Sequence, residues 1–464
     1  MTHLQGKKYH FIGIGGIGTS GLAKMLMNNG AIVTGSDMDD SVVVAQLRSM
    51  GADVAIGHRP DNISEDTDIV VMSAAITAAN PELGRASELG LAIYKYAEML
   101  GRLFDTYTGI AVAGTHGKST TSGWLSYILQ QAGAGPNYIV GAHITQLDGS
   151  SGVGNGRVFV AEACEYDRSF LNLHPSAAIL LNVEQDHLDY YRDEDDIVDA
   201  FADFAAGAKD GGVVIANGHD KNVARVVRRL KTGAQVILYG LEPHCDVRAE
   251  NLKRVDGSYE FDLYYKNDLL GRPHIALPGE FNVLNALAVT AACLYAGLDA
   301  DSILAHLGGF SGIDRRLMLK AKIDGITILD DYAHHPTEIR ASLKAIREKY
   351  APDRLWCIFQ PHQYSRTRFL LDDFAESFKL ADMTIVPEIY FVRDTAESKS
   401  TVNAEMLVER IRQQGCEALF INDFSGILKH LKDNLKDGDL VVTMGAGTIW
   451  KVADEYIQWF RRHC

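Results

Sequence analysis

The sequence predicts an α/β protein built from three units. Apolar strand-like runs alternate with amphipathic helical stretches along the chain, among them YHFIGI, AIVTGSD, DIVVMSAA, IAVAG, RVFVAEA, AAILLN, GVVIAN, LWCIFQ and DLVVTMGAG. These runs are continuous and rich in Val and Ile, as strands covered on both faces are. Strand–helix alternation of this kind gives parallel sheets. Two glycine turns, FIGIGGIGTSG and AVAGTHGKSTT, each join a strand to a helix, and 464 residues suffice for two to four domains. The expected borders are 1–105, 106–311 and 312–464.

Composition narrows the function. Hydrophobic residues make up 47% and charged residues 23%, as in ordinary globular proteins, and the net charge is −15. That balance speaks against non-specific binding to nucleic acid or anionic membranes, which needs basic patches. No apolar run approaches the ~18 residues of a membrane span. The N-terminal MTHLQGKKYHFIGIGGIG has glycines where a secretion signal has an apolar stretch. Six scattered cysteines without a CxxC pair fit reduced thiols and a cytoplasmic protein. Cys164, with a glutamate on either side, reads as a packed or incidental thiol rather than a nucleophile.

The first unit opens on Gly13, Gly15 and Gly18, a G-x-G-x-x-G turn between a strand and a helix expected over 17–29, with Gly30 as its stop. Such glycines bring backbone N–H groups to a diphosphate at the helix N-terminus. Asp37, at the end of the next strand, is placed to take a ribose hydroxyl. A nicotinamide dinucleotide and a nucleotide sugar present the same diphosphate and ribose, and a ligand-free tight turn uses the same glycines.

The second unit opens on strand 109–113, the turn Gly114-Thr115-His116-Gly117-Lys118-Ser119, and a helix expected over 119–132. A phosphate loop normally reads G-x-x-x-x-G-K-[ST]. Here Val112 stands at the first glycine position, so Gly114 has to supply the turn in a shorter loop. Lys118 would meet β/γ-phosphates and the Ser119 hydroxyl a Mg²⁺. The metal needs a carboxylate at a neighbouring strand end, and RVFVAE supplies Glu162. The next strand runs into Asn182-Val-Glu184-Gln-Asp186-His187-Leu-Asp189. Its acids and imidazole are either ligand-facing or plain solvated loop residues. Residues 244–275 read as a β-hairpin meander. The third unit begins around GFSGIDRR.

With these strings in view the chain resembles the Mur ligases over nearly its whole length. The carriers are HFIGIGGIGTSGLA (10–23), GSD (35–37), SAAI (73–76), AVAGTHGKSTT (111–121), AEACEYDRSF (161–170), NVEQDHLDYY (182–191), LPGEFNVLNALA (277–288), GIDRR (312–316), DDYAHHPTEI (330–339), FQPHQYSRTR (359–368) and GAGTIW (445–450). DDYAHHPTE and FQPHxYSRT in this order mark the alanine-adding branch and its close relatives.

The resemblance implies a Rossmann-like UDP-binding domain, a central P-loop ATPase domain and a Rossmann-like C-terminal domain that closes over the site. It implies that ATP phosphorylates the lactyl carboxylate of UDP-N-acetylmuramate and that an amino acid's amine displaces the phosphate. Gly114, Thr115, His116, Gly117, Lys118, Ser119 and Thr120 would wrap the ATP phosphates. Ser119, Glu162 and His187 would hold Mg²⁺. Asn282 and Asn285 would meet the adenine, Arg316 the phosphates, and Asp331 and Tyr332 would face the nucleotide. Lys118, His187 and Arg316 would carry the catalysis. His334 and Arg366 would take the amino acid's carboxylate, and Gly15, Gly18, Asp37 and Ser73 the UDP moiety. The implied partners are UDP-N-acetylmuramate and a small amino acid, with no nucleic acid or membrane, in a monomer or homodimer.

Three positions depart from the family pattern. Gln363 replaces an arginine that clamps the amino-acid carboxylate, a loss of about 1.5–3 kcal/mol for a charged hydrogen bond. Arg368 and Arg393 are candidate substitutes. Phe281 stands where a histidine is usual, and Leu317 where a phenylalanine is. The neighbouring branch, which attaches murein tripeptide to the same sugar nucleotide, is the alternative. A nicotinamide-dependent dehydrogenase would leave Lys118 and Glu162 unexplained. A silent sugar-nucleotide binder would have no use for Lys118, Glu162 and His187 together.

Overall fold

The computed structural model describes residues 4–187, 190–231, 233–392, 394 and 396–463. Asp189, Arg393 and Cys464 lie outside the described residues. Three sheets organise the described residues.

The first sheet aligns Asp53–Ile56, Ile32–Asp37, Lys8–Ile12, Ile69–Met72 and Ala92–Lys95 in that order, all parallel. The strand order switches between Lys8–Ile12 and Ile69–Met72, and a ligand crevice opens where such a sheet switches. Helix Ile17–Asn28 follows the first strand and buries Leu22, Ala23, Met25 and Leu26 against it. A completely buried carboxylate, Glu82, ties this unit together. It accepts from His10 Nε2 at 3.2 Å, Ser36 Oγ at 2.7 Å, Asn62 Nδ2 at 2.6 Å and the Arg59 N–H at 3.2 Å. Burial alone would raise its pKa, but the His10, Ser36 and Asn62 contacts bring it down to about 2.

The second sheet has eleven strands. Its heart is Val213–Asn217, Ala177–Leu180, Thr108–Ala113, Val158–Glu162 and Asn137–Ile144, side by side and parallel. The expected meander is the edge formed by Val247–Val255, Ser258–Tyr265, Asp268–Gly271 and His274–Ile275, antiparallel throughout. Helix Lys118–Gln131 buries Trp124, Leu125, Ile128 and Leu129, which are fully excluded from solvent. Trp124 stacks on Phe310 with centroids 5.4 Å apart, and its indole N–H donates to the Leu307 carbonyl at 3.1 Å. Truncating such a side chain to alanine costs about 3–5 kcal/mol.

The third sheet runs Met318–Ile323, Ile326–Asp331, Asp439–Met444, Arg354–Phe359, Met383–Val386 and Ala418–Phe420. The first pair is antiparallel and the others are parallel. Asp331, Met444 and Phe359 end their strands in register, so DDYAHHPTE, GAGTIW and FQPHQYSRTR emerge at one edge. That edge faces the phosphate loop.

Candidate active site

The phosphate loop is held from two sides. Gly117 stands at φ +84° as the N-cap of helix Lys118–Gln131, a left-handed conformation that favours glycine. Asn182 accepts from the His116 N–H at 2.8 Å and donates back to the His116 carbonyl at 3.0 Å. Lys118 Nζ folds onto the Gly114 carbonyl at 2.6 Å and the Thr115 carbonyl at 3.1 Å, closing the short loop without a glycine at position 112.

Lys118 also pairs with the buried Glu165, 2.9 Å away. Burial opposes the ammonium charge, and the Glu165 carboxylate reverses that, holding Lys118 above its ordinary value. Burial likewise pushes the Glu165 carboxyl up, and Lys118 and His187 bring it down. Ser119 Oγ donates to Glu162 Oε2 at 2.8 Å, and the Gly141 N–H donates to the same oxygen at 2.7 Å. A Cβ at Gly141 would lie 2.8 Å from that oxygen, so only glycine leaves it room. The expected metal trio is split. Ser119 and Glu162 touch directly, whereas His187 Nε2 lies 3.6 Å from Glu165 Oε1. Glu165 instead pairs with both Lys118 and His187. The oxygens of Ser119 and Glu162 suit Mg²⁺, which prefers oxygen ligands.

Beside the loop lies a cavity of about 520 Å³ between the second and third sheets. His116, Gly117 and Thr120 form its floor, and Asn282, Asn285 and Phe281 line it from helix Glu280–Tyr295. Arg316, Leu317, Asp331 and Glu338 close it from the third unit. Burial raises the Asp331 carboxyl to about 6, although Arg316 and Ser342 pull it the other way. Arg316 Nη1 meets Glu338 Oε1 at 3.1 Å. Tyr332 is absent from the cavity lining. Its ring sits between the guanidiniums of Arg315 and Arg316, 5.0 Å from each.

A polar seam crosses from the second unit to the third. His116 Nδ1 lies 3.2 Å from Glu338 Oε1, and His116 Nε2 lies 3.5 Å from Glu184 Oε2. Burial lowers the His116 pKa, but Glu338 and Glu184 lift it to about 9. Thr337 Oγ1 donates to Glu184 Oε2 at 2.6 Å. Arg366 Nη2 and Nε bond Asp186 Oδ1 at 2.8 and 3.0 Å, with both side chains more than nine-tenths buried. Asp186 is therefore no solvated loop acid, because its partner arrives from another unit. Burial opposes the Asp186 charge, and Arg366 holds the carboxyl well below the usual range.

His334 sits at the same edge. Burial pushes its pKa down to about 3, and its Nδ1 lies 3.0 Å from the Tyr332 carbonyl. That contact makes Nδ1 the donor of the neutral ring and leaves Nε2 an acceptor. Gln363, at φ +71° and 5% exposed, borders a small pocket with Asp186, His187 and Arg366. Arg368 stays exposed over the Phe369 ring and lines neither pocket.

The first glycine turn assembles as expected. The Gly15 N–H donates to Asp37 Oδ2 at 2.8 Å, and a Cβ at Gly13 would lie 3.0 Å from the Ser73 Cβ. Gly18 lies against the Tyr96 ring, 2.6 Å from where its Cβ would be. Burial raises the Tyr96 phenol above its ordinary value, with the Glu162 carboxylate adding to it. Tyr96, Glu165 and Glu338 escape motif counting, though the last two lie inside AEACEYDRSF and DDYAHHPTEI. Glu165 follows a strand end by three residues, and Glu338 stands in the first turn of helix Pro336–Tyr350. Cys164, expected to be packed or incidental, is exposed and unpaired.

Comparison with known proteins agrees with this anatomy. Residues 8–108 match the Mur ligase family catalytic domain, 112–293 the Mur ligase middle domain, and 315–447 the Mur ligase glutamate ligase domain. UDP-N-acetylmuramate–L-alanine ligase of Clostridium novyi is 41% identical over 453 residues, 97% of each chain. The enzyme of that name from Caldanaerobacter subterraneus is 40% identical over 454 residues, again 97% of each. The crystal structure of UDP-N-acetylmuramate–alanine ligase from Thermotoga maritima superposes with a TM-score of 0.81 at 26% identity, covering 98% of this chain and all of that one. A murein peptide ligase from Psychrobacter arcticus gives 0.72 at 25% identity, covering 98% of each.

Proposed function

The chain belongs to the Mur ligase family, and on that premise we propose that it joins L-alanine to the lactyl carboxylate of UDP-N-acetylmuramate at the expense of ATP, a step of peptidoglycan synthesis. The observation that carries this is the phosphate loop at the edge of a cavity that Asn282 and Asn285 line from the second unit and Arg316 closes from the third.

The units divide the work as 1–105, 106–311 and 312–464. Gly15, Gly18, Asp37 and Ser73 hold the UDP group. Asn282 and Asn285 hold the adenine in the cavity, with Phe281 packing on it. Lys118 and Arg316 neutralise the phosphates, and Ser119 and Glu162, with His187, would hold Mg²⁺. When bound, Mg²⁺ draws charge from the phosphate oxygens. A carboxylate oxygen attacks the γ-phosphorus as its bond to ADP breaks, and Lys118 and Arg316 stabilise the charge that spreads over that group. The amine nitrogen then bonds the acyl carbon, the carbon–oxygen bond to phosphate breaks, and the amine sheds a proton. Arg366, oriented by Asp186, offers its remaining N–H groups to the amino acid's carboxylate, with His334 beside that group. The enzyme works in the cytoplasm as a monomer or homodimer and through the cell wall supports cell shape and division.

The test is amino-acid-dependent phosphate release in the presence of UDP-N-acetylmuramate and MgATP. Alanine is expected to stimulate most within a panel of alanine, serine, glycine and murein tripeptide. Stimulation by tripeptide alone would transfer the chain to the recycling branch, a reading that the neutral Gln363 keeps in view. A panel with no stimulation overturns the ligase reading.

A further inference from the structure

Among the described residues one group of three metal-ligating side chains brings its donor atoms together outside the set that suits Mg²⁺: His116, Glu184 and His335, one atom from each lying within 4.8 Å of the others. We propose that these three residues form a site for a zinc-class divalent cation, clasping the second and third units together at the rim of the nucleotide cavity.

The separations fit a small tetrahedral ion. Bonds of about 2.1 Å give a tetrahedron edge of about 3.4 Å. His116 Nε2 lies 3.5 Å and His335 Nδ1 lies 3.8 Å from Glu184 Oε2, within a few tenths of an ångström of that edge, and the two imidazole nitrogens lie within 4.8 Å of each other. The outer contacts point the same way. A metal-bound imidazole typically donates its other ring N–H to a carboxylate or carbonyl, which fixes the tautomer. His116 Nδ1 faces Glu338 Oε1 at 3.2 Å, and His335 Nε2 faces the Gln185 carbonyl at 3.3 Å. Both rings thus turn their second nitrogen toward Glu184. His116 Nε2 is buried and has no hydrogen-bond partner. The Thr337 N–H, a long 3.3 Å from His335 Nδ1, is the contact a cation displaces.

Two imidazoles and one carboxylate select zinc-class ions over Mg²⁺, which prefers oxygen alone. Three protein ligands leave a fourth position. His116 and Glu184 line the cavity, so that position takes water or an oxygen of the bound nucleotide. The site holds whichever amino acid the enzyme uses, because none of its residues is assigned to the acceptor.

Titration of the full-length protein with Co²⁺, followed by its visible absorption, tests the site. We expect the intense bands of four-coordinate cobalt to saturate at one equivalent and to be displaced by one equivalent of Zn²⁺ in excess Mg²⁺. His335→Asn keeps a good helix-capping residue at the start of Pro336–Tyr350. It should weaken binding by more than about 100-fold, since losing an outer partner alone costs about 10–100-fold. Glu184→Gln should act alike, and Glu162→Gln should leave the bands intact. Absent bands, bands that survive both His335→Asn and Glu184→Gln, or bands lost in Glu162→Gln overturn the proposal.

Discussion

The two glycine turns solve one geometric problem with opposite electrostatics. Both follow a buried strand and open a helix, Ile17–Asn28 in one and Lys118–Gln131 in the other. Around Gly13–Gly18 the Asp37 carboxylate accepts from the Gly15 N–H. Around Gly114–Ser119 a buried lysine, two glutamates and an arginine share the space. The proposed division of labour follows: backbone dipoles at the first turn suit a diphosphate that does not react, and charged side chains at the second suit phosphoryl transfer. The first is covered by an aromatic ring from its own unit, Tyr96, whereas the second is completed only by residues of the third.

That contrast can be broken at several points. The largest effect is expected from Lys118→Ala. It should reduce phosphate release by about 10²–10³-fold or more while leaving the calorimetric Kd for UDP-N-acetylmuramate unchanged. Equal loss of both in a folded variant would falsify the division of labour. Next comes Arg366→Ala, which strands Asp186 as a buried, unpaired charge and should cost about 3–5 kcal/mol of stability in thermal unfolding. A change within ±0.5 kcal/mol would mean that the pair does not hold the units together.

The third point is pH. His116 has a folded pKa of about 9 against an ordinary 6.5. In protein stripped of divalent cations its contribution, on the order of 3 kcal/mol, is therefore fully present below about pH 6.5 and lost as pH rises through about 9. The melting temperature should fall across that window, and His116→Asn should flatten the fall. The smallest effect is expected from Asp37→Ala, which should weaken UDP-N-acetylmuramate about tenfold, or ~1.5 kcal/mol, with KM for ATP unmoved. A matching rise in that KM would show the two turns to be coupled.

The legible parts of this molecule are those that the chain completes locally. Strand 109–113, the loop after it and the stop at Gly133 differ from the observed Thr108–Ala113 and Lys118–Gln131 by one residue at most. Glu162 could be placed because a strand end aims its last side chain at the sheet edge. Asp186 could not, since its partner Arg366 is 180 residues away on another unit and only docking buries both. Tyr332 was expected to face the nucleotide, yet the adjacent arginines Arg315 and Arg316 claim its ring. No spacing rule predicts which of two neighbours an aromatic face will serve. The left-handed backbone at Gln363 was equally silent, because nothing in FQPHQYSRTR marks that residue as the start of a helix.

The pairing of Lys118 with Glu165 carries one more consequence. Glu165 stays ionised in its dry setting because the ammonium is 2.9 Å away. When Lys118 turns to a nucleotide, that support weakens and desolvation pushes the carboxyl up again. A cation arriving beside Glu165 would restore that support, so the resting ion pair ties the charge of this carboxylate to whatever the lysine holds.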